Sequence, residues 1–344
     1  MKRTEISQLG EFGLIDRLTK NIELKNKSSE KGVGGDDAAV LSFENKKTLV
    51  TTDLLLEGIH FDLIYVPLKH LGYKSAVVNF SDIYAMNGQP KQITVSLGIS
   101  KRFSVEDIEI FYEGVYLACQ EYGVDVIGGD TSASLTGLTI SITCIGEGEE
   151  GKIVYRNGAK DTDLICVSGD LGAAFMGLQL LEREKVVYDG EKNFQPDFTG
   201  KEYLLERQLK PEARKDIVRF LSEEAIVPTS MIDISDGLSS ELKHICKQSG
   251  VGCRVFEERV PPIDYQTAMM AEQFNMNVTT VALNGGEDYE LLFTIPLYLH
   301  EKVSKIKGVH VIGHITKADY GLLLETRDGG EIELKAQGWD SIKE

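Results

Sequence analysis

Six short acidic segments recur along the chain, and each lies among small residues beside an apolar run typical of a strand or a helix. Clustered carboxylates repel one another and resist desolvation, so a folded protein tolerates them together only with compensating cations. Oxygen ligands of this kind suit Mg²⁺ or Ca²⁺ better than zinc. The chain therefore predicts a fold that gathers these carboxylates around several metal ions. The segments are GGDDAAVL (34–41), LVTTD (49–53), NFSDIYAM (79–86), VIGGDTS (126–132), MIDISDGL (231–238) and GGEDYELLF (285–293).

The size and charge of the chain narrow the class of protein. Its 344 residues are enough for two domains, and its hydrophobic fraction of 42% is that of an ordinary soluble globular protein. The formal net charge of −17 argues against nucleic-acid binding, because no basic stripe can form to contact phosphates. If the substrate is itself anionic, divalent ions must bridge it to so acidic a protein.

The cysteines and the N-terminus bear on the compartment. The five cysteines are an odd number, widely spaced and without a C-x-x-C pair, which favours reduced thiols. The N-terminal stretch MKRTEISQLGEF starts basic but lacks the apolar core of a signal peptide. No apolar stretch approaches the roughly 18 residues of a membrane span. We therefore expect a cytoplasmic protein with no membrane partner.

Apolar spacing predicts alternating strands and helices in both halves of the chain, which indicates an α/β (α+β) protein of two domains with a cleft between them. The charged stretch GEGEEGK at 146–152 is predicted to be a turn and linker. We therefore divide the chain into an N-terminal domain at 1–148 and a C-terminal domain at 149–344. The predicted strands are 48–53, 92–99, 138–145, 163–168, 291–295 and 309–315. The predicted helices are 69–86, 104–122, with Ser104 as N-cap, 171–183, 212–224 and 237–249. A loop is predicted at 188–201, and a hairpin and tail at 322–339.

Several motifs are better explained by structure than by chemistry. The literal GxGxxG at 146–151 carries three glutamates that would repel a phosphate, and no helix is predicted after it. Neither an H-E-x-x-H nor a G-x-S-x-G motif is present. His244 lies on an apolar helix face, where a structural role is favoured. His60 follows an acidic segment, and both a ligand contact and loop packing remain open for it.

Each acidic segment, considered alone, also has a possible structural explanation. Asp233 and Asp236 could be helix caps, since aspartate is favoured there. Asp82 is harder to explain, because it lies on an apolar helix face where an unpaired carboxylate is costly. Taken together, the segments indicate Mg²⁺-dependent handling of a polyphosphate, a reaction that needs charge neutralisation and positioning more than a covalent catalyst. Glycine pairs at 34–35, 128–129 and 285–286 would let backbone approach the ligand.

At this point the motifs resemble a known family. The chain resembles the thiamine-monophosphate kinases, in the superfamily of aminoimidazole ribonucleotide (AIR) synthetase and selenophosphate synthetase. The resemblance covers nearly the whole chain and is carried, in order, by GEFGLIDRL, GGDDAAVL, TTDLLLEGIHF, AVVNFSDIYAMNG, IGGDTS, YRNGAK, IDISDGLSSELKHI and NGGEDYELLFT. It implies direct transfer of the ATP γ-phosphate to thiamine monophosphate, giving thiamine diphosphate and ADP. It also implies a homodimer whose N-terminal AIR-synthase-like domains form a shared barrel from their mixed sheets, with a C-terminal α/β sandwich domain in each chain.

The resemblance further implies site residues. Its catalytic aspartates match Asp53, Asp130 and Asp236. Its magnesium ligands, for several ions, match Asp37, Thr51, Thr52, Asp53, Asp82, Asp130, Asp233 and Asp236, with Asp36 as an additional contact. Its contacts to ATP, the co-substrate, match Tyr112, Gly129, Asp130, Arg156 and Ser235. Its contacts to thiamine monophosphate match His60, Glu287 and Trp339.

Two segments depart from the family pattern. The helix with Asp82 ends in Tyr-Ala-Met-Asn-Gly-Gln at 84–89, and the R-H-x-x-P-x-P-R-like segment reads RQLKPEAR at 207–214, without its histidine and one proline. We expect these departures to change only local loop shape. Two alternatives remain open: another ATP-dependent enzyme of the superfamily, such as an AIR synthetase, and a non-catalytic relative that binds divalent cations.

Overall fold

The computed structural model describes residues 29–31, 37–43, 46–188, 196, 198–260 and 264–335. These residues form two β-sheets with helices packed against them, which confirms the predicted mixed α/β class. Every helix in these ranges is too short or too polar to span a lipid bilayer.

The first sheet contains six strands in the order β1-β2-β3-β6-β4-β5. Strands β4 and β5 run parallel, and the other neighbours run antiparallel. Strand β5 lies at one edge of the described sheet, and nearly all of its residues are exposed. The strand bounds are β1 (Ser29–Lys31), β2 (Ala39–Phe43), β3 (Lys46–Leu56), β4 (Gln89–Ile99), β5 (Asp125–Ala133) and β6 (Thr139–Glu149).

The charged stretch at 146–152 is not the turn that its composition predicts. Strand β6 continues through it as far as Glu149, and only 150–152 form a turn. Each strand residue there pairs with β3, and the ammonium of Lys46 lies 2.6 Å from the carboxylate of Glu147. The prediction was wrong because the partner strand supplies the hydrogen bonds and counter-charges that a glycine- and glutamate-rich segment lacks by itself.

Two long helices, α1 (Leu68–Ala85) and α2 (Val105–Tyr122), pack closely together beside the first sheet. Glycines allow their close crossing, because a Cβ on Gly72 or on Gly114 would lie 1.9 Å from a backbone oxygen of the other helix. The predicted N-cap of α2 is confirmed, since Ser104 forms a complete capping box.

The second sheet contains seven strands in the order β13-β12-β9-β11-β7-β10-β8. Strands β12 and β9 are its parallel pair. The strand bounds are β7 (Leu164–Ser168), β8 (Ser230–Asp233), β9 (Val251–Phe256), β10 (Leu291–Ile295), β11 (Val309–Lys317), β12 (Leu322–Glu325) and β13 (Glu331–Glu333). The remaining helices are α3 (Ala173–Val187), α4 (Glu202–Leu209), α5 (Lys215–Glu223), α6 (Leu238–Ser249), α7 (Tyr265–Gln273), α8 (Val278–Asn284) and α9 (His300–Val303).

Helix α1 lies between the two sheets. It contacts β3, β4 and β6 of the first sheet and β8 of the second. Thirteen of its 18 residues are buried, so its sequence is apolar around most of the helix. Polar residues within the buried part of α1, such as Asn79 and Ser81, therefore meet protein rather than solvent. The strands of the first sheet end at Glu149 and those of the second begin at Leu164, while the division at 148 and 149 stays a prediction.

Candidate active site

Three aspartates distant in sequence form an acidic cluster. Asp37 precedes β2, Asp82 lies in α1, and Asp233 ends β8. One carboxylate oxygen of each lies within 4.8 Å of the others. The side chain of Asp37 is only 2% exposed, and Asp233 is 3% exposed. Three of the six acidic segments therefore converge, as the sequence predicts.

Two hydroxyl groups hold these carboxylates in place. Thr51 Oγ1 donates to Asp82 Oδ2 at 2.6 Å, and Ser81 Oγ donates to Asp233 Oδ2 at 2.5 Å. The second hydrogen bond joins α1 to the second sheet across 152 residues of sequence. Sequence reasoning did not select Ser81, whose only local signal is its position directly before Asp82.

The pleat of β3 divides the three candidate ligands on that strand. Thr51 is buried towards α1 and Asp53 is half-buried on the same face, whereas Thr52 is exposed on the opposite face. Thr52 Oγ1 donates to the carbonyl of Ile142 at 3.1 Å. The structure thus brings Thr51 and Asp53 towards the cluster and directs the Thr52 side chain away from it.

Burial and mutual repulsion disfavour the ionised form of carboxylates in and beside the cluster. Burial raises the pKa of Asp82 well above its usual value, and the nearby charges of Asp53, Asp233 and Asp37 raise it further. The pKa of Asp233 is raised by burial and by Asp37, against the hydrogen bond from Ser81. Burial raises the pKa of Asp53 to about 6. Each of these three carboxylates is harder to ionise in the fold than in water.

Arg156 supplies a positive charge at this place. Its guanidinium donates from Nε to Asp37 Oδ2 at 3.1 Å, and a second nitrogen contacts Asp37 Oδ1. Burial alone would lower the pKa of Arg156, but Asp37 holds it above its usual value. The predicted ATP contact therefore lies at the acidic cluster, where a planar cation suits phosphate oxygens.

Backbone hydrogen bonds hold two acidic loops side by side. The amide of Glu287 donates to the carbonyl of Ser235 at 2.6 Å, and the amide of Tyr289 donates to the carbonyl of Ile234 at 2.9 Å. Both Glu287 and Tyr289 have positive φ, of 59° and 52°, which non-glycine residues adopt at a cost. Ser235, a predicted ATP contact, and Glu287, a predicted acceptor contact, thus lie on adjacent backbone segments.

Asp236 has a buried neighbour that sequence reasoning missed. Glu241, in the first turn of α6, is 3% exposed and accepts a hydrogen bond from the Asp236 amide at 3.1 Å. Burial raises the pKa of Glu241 well above its usual value, and the charge of Asp236 adds to this. The acidic region therefore extends from Asp233 through Asp236 into α6. Its signal in the sequence is a glutamate within the helix that follows SDGL.

Asp130 and Gly129 lie apart from this cluster, on the exposed edge strand β5. The Asp130 carboxylate accepts a hydrogen bond from the amide of Thr131 at 2.9 Å. A Cβ on Gly129 would lie 1.8 Å from the carbonyl oxygen of Val95, so close pairing with β4 requires glycine. The described contacts do not join Asp130 to Asp37, Asp82 or Asp233.

Tyr112 lies on α2 beside an open cavity of about 560 Å³. The lining is largely apolar and aromatic, and it includes Ile99, Phe103, Ile108 and Tyr116. Its polar lining residues are Ser104, Glu109 and Glu113.

The predicted acceptor contacts are only partly described. His60 Nδ1 accepts a hydrogen bond from the amide of Leu56 at 3.0 Å, and its contact to a ligand stays a prediction. Glu287 forms an ion pair with Lys74 at 2.7 Å and accepts a hydrogen bond from Gln208 at 3.1 Å. Lys74 and Gln208 were not selected from the sequence. Asp36, the glycine pair at 34–35 and Trp339 lie outside the described residues.

The donor set at the cluster fits a divalent cation. Three carboxylates with oxygens within 4.8 Å of one another, two of them with raised pKa, have the chemistry of a hard-cation site. Asp53 and Thr51 border the cluster on β3. A bound cation would relieve the repulsion that raises the pKa of Asp82 and Asp233.

Comparisons with known proteins identify the fold and the family. Residues 35–147, which include most of the first sheet with Asp37 and Asp82, match the family described as AIR synthase related protein, N-terminal domain. The thiamine-monophosphate kinase of Aquifex aeolicus (strain VF5) is 37% identical over 334 residues, covering 97% of this chain and 98% of that protein. That of Bacillus subtilis (strain 168) is 33% identical over 340 residues, covering 97% and 100%.

A solved structure, AaThiL complexed with AMPPCP and TMP, is similar to this chain over nearly its full length. It is 35% identical to this chain, covers 99% of both chains and has a TM-score of 0.83. The fold of this chain is thus that of the AIR synthase-related class. Within that class, the chain belongs to the thiamine-monophosphate kinase family.

Proposed function

We propose that this protein catalyses Mg²⁺-dependent transfer of the γ-phosphate of ATP to the phosphate of thiamine monophosphate, giving thiamine diphosphate and ADP. Family membership over nearly the whole chain supports the reaction. The observation that links this reaction to particular residues is the convergence of Asp37, Asp82 and Asp233. AaThiL, which is similar over its full length, was solved with an ATP analogue, AMPPCP, and TMP.

Asp37, Asp82 and Asp233 would hold Mg²⁺, with Thr51 and Asp53 at the border of the site. Bound magnesium would neutralise the negative charge of the phosphoryl groups. The chain's own contribution is positional: Thr51 fixes the carboxylate of Asp82 and Ser81 fixes that of Asp233. On the strength of the family resemblance we propose Asp130 and Asp236 as additional ligands; Thr52, whose hydroxyl is directed away from the cluster, would be a ligand only through its backbone.

Direct transfer, without a phosphorylated enzyme, suits this site. Phosphoryl transfer depends on in-line positioning and charge stabilisation more than on covalent catalysis. Arg156 has a guanidinium at the cluster that can contact a phosphate oxygen. We propose that Gly129, Asp130 and Ser235 also contact ATP and that the cavity beside Tyr112 takes its adenine ring. We propose His60, Glu287 and Trp339 as contacts of thiamine monophosphate.

We further propose a cytoplasmic homodimer. All five cysteines are free thiols and buried, as suits a reducing compartment. The exposed edge strand β5 carries Ile127 with 57% of its surface accessible, and the face of the first sheet opposite α1 carries Leu54 at 54%. Exposed apolar residues on one sheet favour association through the N-terminal domain, as the shared barrel requires.

The test is to incubate the purified protein with ATP, Mg²⁺ and thiamine monophosphate and to separate the products by chromatography. We expect thiamine diphosphate and ADP in equal amounts, with none when EDTA is present. A parallel incubation with thiamine tests whether the acceptor must carry a phosphate. A further incubation, with the formylglycinamidine ribonucleotide substrate of AIR synthetases, tests the superfamily alternative. ADP formed only with formylglycinamidine ribonucleotide would overturn the proposal. Cation binding without turnover of any of these substrates would also overturn it and would identify a non-catalytic relative.

A further inference from the structure

Lys74 joins helix α1 to the loop that carries Glu287. Its ammonium donates to Glu287 Oε2 at 2.7 Å and to the backbone carbonyl of Gln208 at 2.9 Å. The Lys74 side chain is 13% exposed, whereas the carboxylate-bearing side chain of Glu287 is 37% exposed. A buried cation thus supports a carboxylate that remains open to a ligand.

The two oxygens of Glu287 have different surroundings. Oε2 accepts from Lys74 and from Gln208 Nε2, at 2.7 and 3.1 Å. Oε1 has a long contact of 3.4 Å to the hydroxyl of Tyr289. One oxygen is therefore held by two donors, and the other keeps most of its capacity to accept a hydrogen bond or to face a cation.

The orientation of Gln208 points to the same purpose. Gln208 is 5% exposed, and its Oε1 has no hydrogen-bond partner among the described residues. Its Nε2 donates to Glu287 Oε2 at 3.1 Å, so the described hydrogen bond of this buried amide is directed at the carboxylate. Gln208 also stands where the R-H-x-x-P-x-P-R-like segment has its histidine. We expected the glutamine at this position to change only the local loop shape. In the structure it also makes a direct contact to Glu287.

The position of Lys74 along α1 relates this contact to the acidic cluster. Lys74 and Ser81 are seven residues apart and so lie on one face of the helix, about 10 Å apart along its axis. Ser81 contacts Asp233 of the cluster, and Lys74 contacts Glu287. One face of α1 thus contacts both the acidic cluster, through Ser81, and the loop of Glu287, through Lys74.

We propose that Lys74 and Gln208 are positioning residues for the acceptor: they fix one oxygen of Glu287 so that the other faces the cationic heterocycle of thiamine monophosphate. This inference rests on the proposed function. It assigns Lys74 a role through Glu287, without contact to the transferred phosphoryl group. The strained backbone at Glu287 supports it, because a loop with φ of 59° needs side-chain anchors to keep one geometry.

The test is steady-state kinetics of Lys74→Met, Gln208→Leu and Lys74→Arg, with Lys69→Met as the matched control. Lys69 lies on the same helix and pairs with Glu113 at 3.1 Å, but both side chains are more than half exposed. We expect Lys74→Met and Gln208→Leu to raise the KM for thiamine monophosphate about tenfold, while the KM for ATP and kcat change by less than about threefold. Lys74→Arg should recover part of the loss, and Lys69→Met should behave as wild type.

A double-mutant cycle with Glu287→Gln decides whether Lys74 acts through Glu287. In that background we expect Lys74→Met to have no further effect on the KM for thiamine monophosphate. A full additional increase, or an equal rise in the KM for ATP, would overturn the inference. If wild-type protein forms no thiamine diphosphate, the proposed function fails instead. Should Lys74→Met fail to fold, as judged by its melting curve, Gln208→Leu and Lys74→Arg carry the same test.

Discussion

Thr51 and Thr52 are consecutive residues of β3, yet their hydroxyl groups lie on opposite faces of the first sheet. Thr51 Oγ1 donates to Asp82 at 2.6 Å, whereas Thr52 Oγ1 donates to the Ile142 carbonyl and accepts from Thr143 Oγ1, both at 3.1 Å. The family resemblance implies that both threonines are magnesium ligands. The fold places only the hydroxyl of Thr51 at the acidic cluster.

The two threonines therefore form a matched pair of variants. Valine keeps the shape of threonine but removes its hydroxyl, so Thr51→Val leaves Asp82 without its donor. We expect Thr51→Val to lower kcat/KM about tenfold or more and to raise the Mg²⁺ concentration needed for half-maximal activity. Thr52→Val should stay within about threefold of wild type. Equal losses in both variants, measured by initial rates over a Mg²⁺ titration, would contradict the division of roles.

The raised pKa of Asp53 predicts how stability changes with pH without metal. Burial raises this pKa to about 6 in the folded protein, against about 4 in an unfolded chain. Between these values the folded state binds more protons, so its free energy of unfolding decreases as pH rises from about 4 to 6, by about 2–3 kcal/mol from this group.

Asp53→Asn removes this dependence. With EDTA present, we expect the variant to gain stability relative to wild type as pH rises from about 4 to 7. Urea denaturation at several pH values measures the difference. Parallel curves for the two proteins would mean that Asp53 ionises without cost in the fold.

Magnesium should stabilise the folded protein through the acidic cluster. A ligand that binds only the folded state raises the free energy of unfolding, by about 2.7 kcal/mol at 100 times its dissociation constant. We expect millimolar Mg²⁺ to raise the melting temperature of wild type, and to raise that of Asp82→Asn and Asp233→Asn much less. Asp161→Asn, which removes an exposed carboxylate, is the control and should respond as wild type. An undiminished response of the cluster variants would place the stabilising ion elsewhere.

Asp130→Asn and Asp236→Asn test the catalytic residues that the resemblance implies beyond the cluster. Loss of an anionic ligand weakens metal placement, and at Asp236 it also relieves the repulsion with buried Glu241. We expect kcat to decrease about a hundredfold or more in each variant, with the melting temperature of the metal-free protein unchanged or higher. Rapid-quench assays and thermal melts with EDTA measure the two quantities. A markedly lower melting temperature would indicate that these carboxylates are structural.

Much of the site could be predicted because its signals are local in sequence. An aspartate on an apolar helix, such as Asp82, or at the end of a buried strand, such as Asp233, is unusual within its own segment. Several such segments in one chain indicate convergence before any contact is known. The motifs that carry the family resemblance are local in the same way, and the comparisons confirm the family.

The local sequence pattern gave no signal for contacts between segments that are distant in the chain. Lys74 and Glu287 are 213 residues apart, and a lysine at the start of an apolar helix is ordinary by itself. Glu241 looks like a first-turn glutamate until its burial is known. Helices α4, α7, α8 and α9 were not predicted, because helices of four to nine residues span too few turns to show a clear apolar period.

The sequence by itself determined which residue types could carry the chemistry, since an oxygen-rich, acidic set of side chains favours hard divalent cations whatever the topology. Only the tertiary structure decided which of them meet. The pleat of β3 directs Thr51 and Thr52 to opposite faces, and the burial of α1 between two sheets brings Asp82 to Asp37 and Asp233. Both results follow from strand pairing and helix packing, which depend on partners far away in the chain and are therefore absent from any single segment.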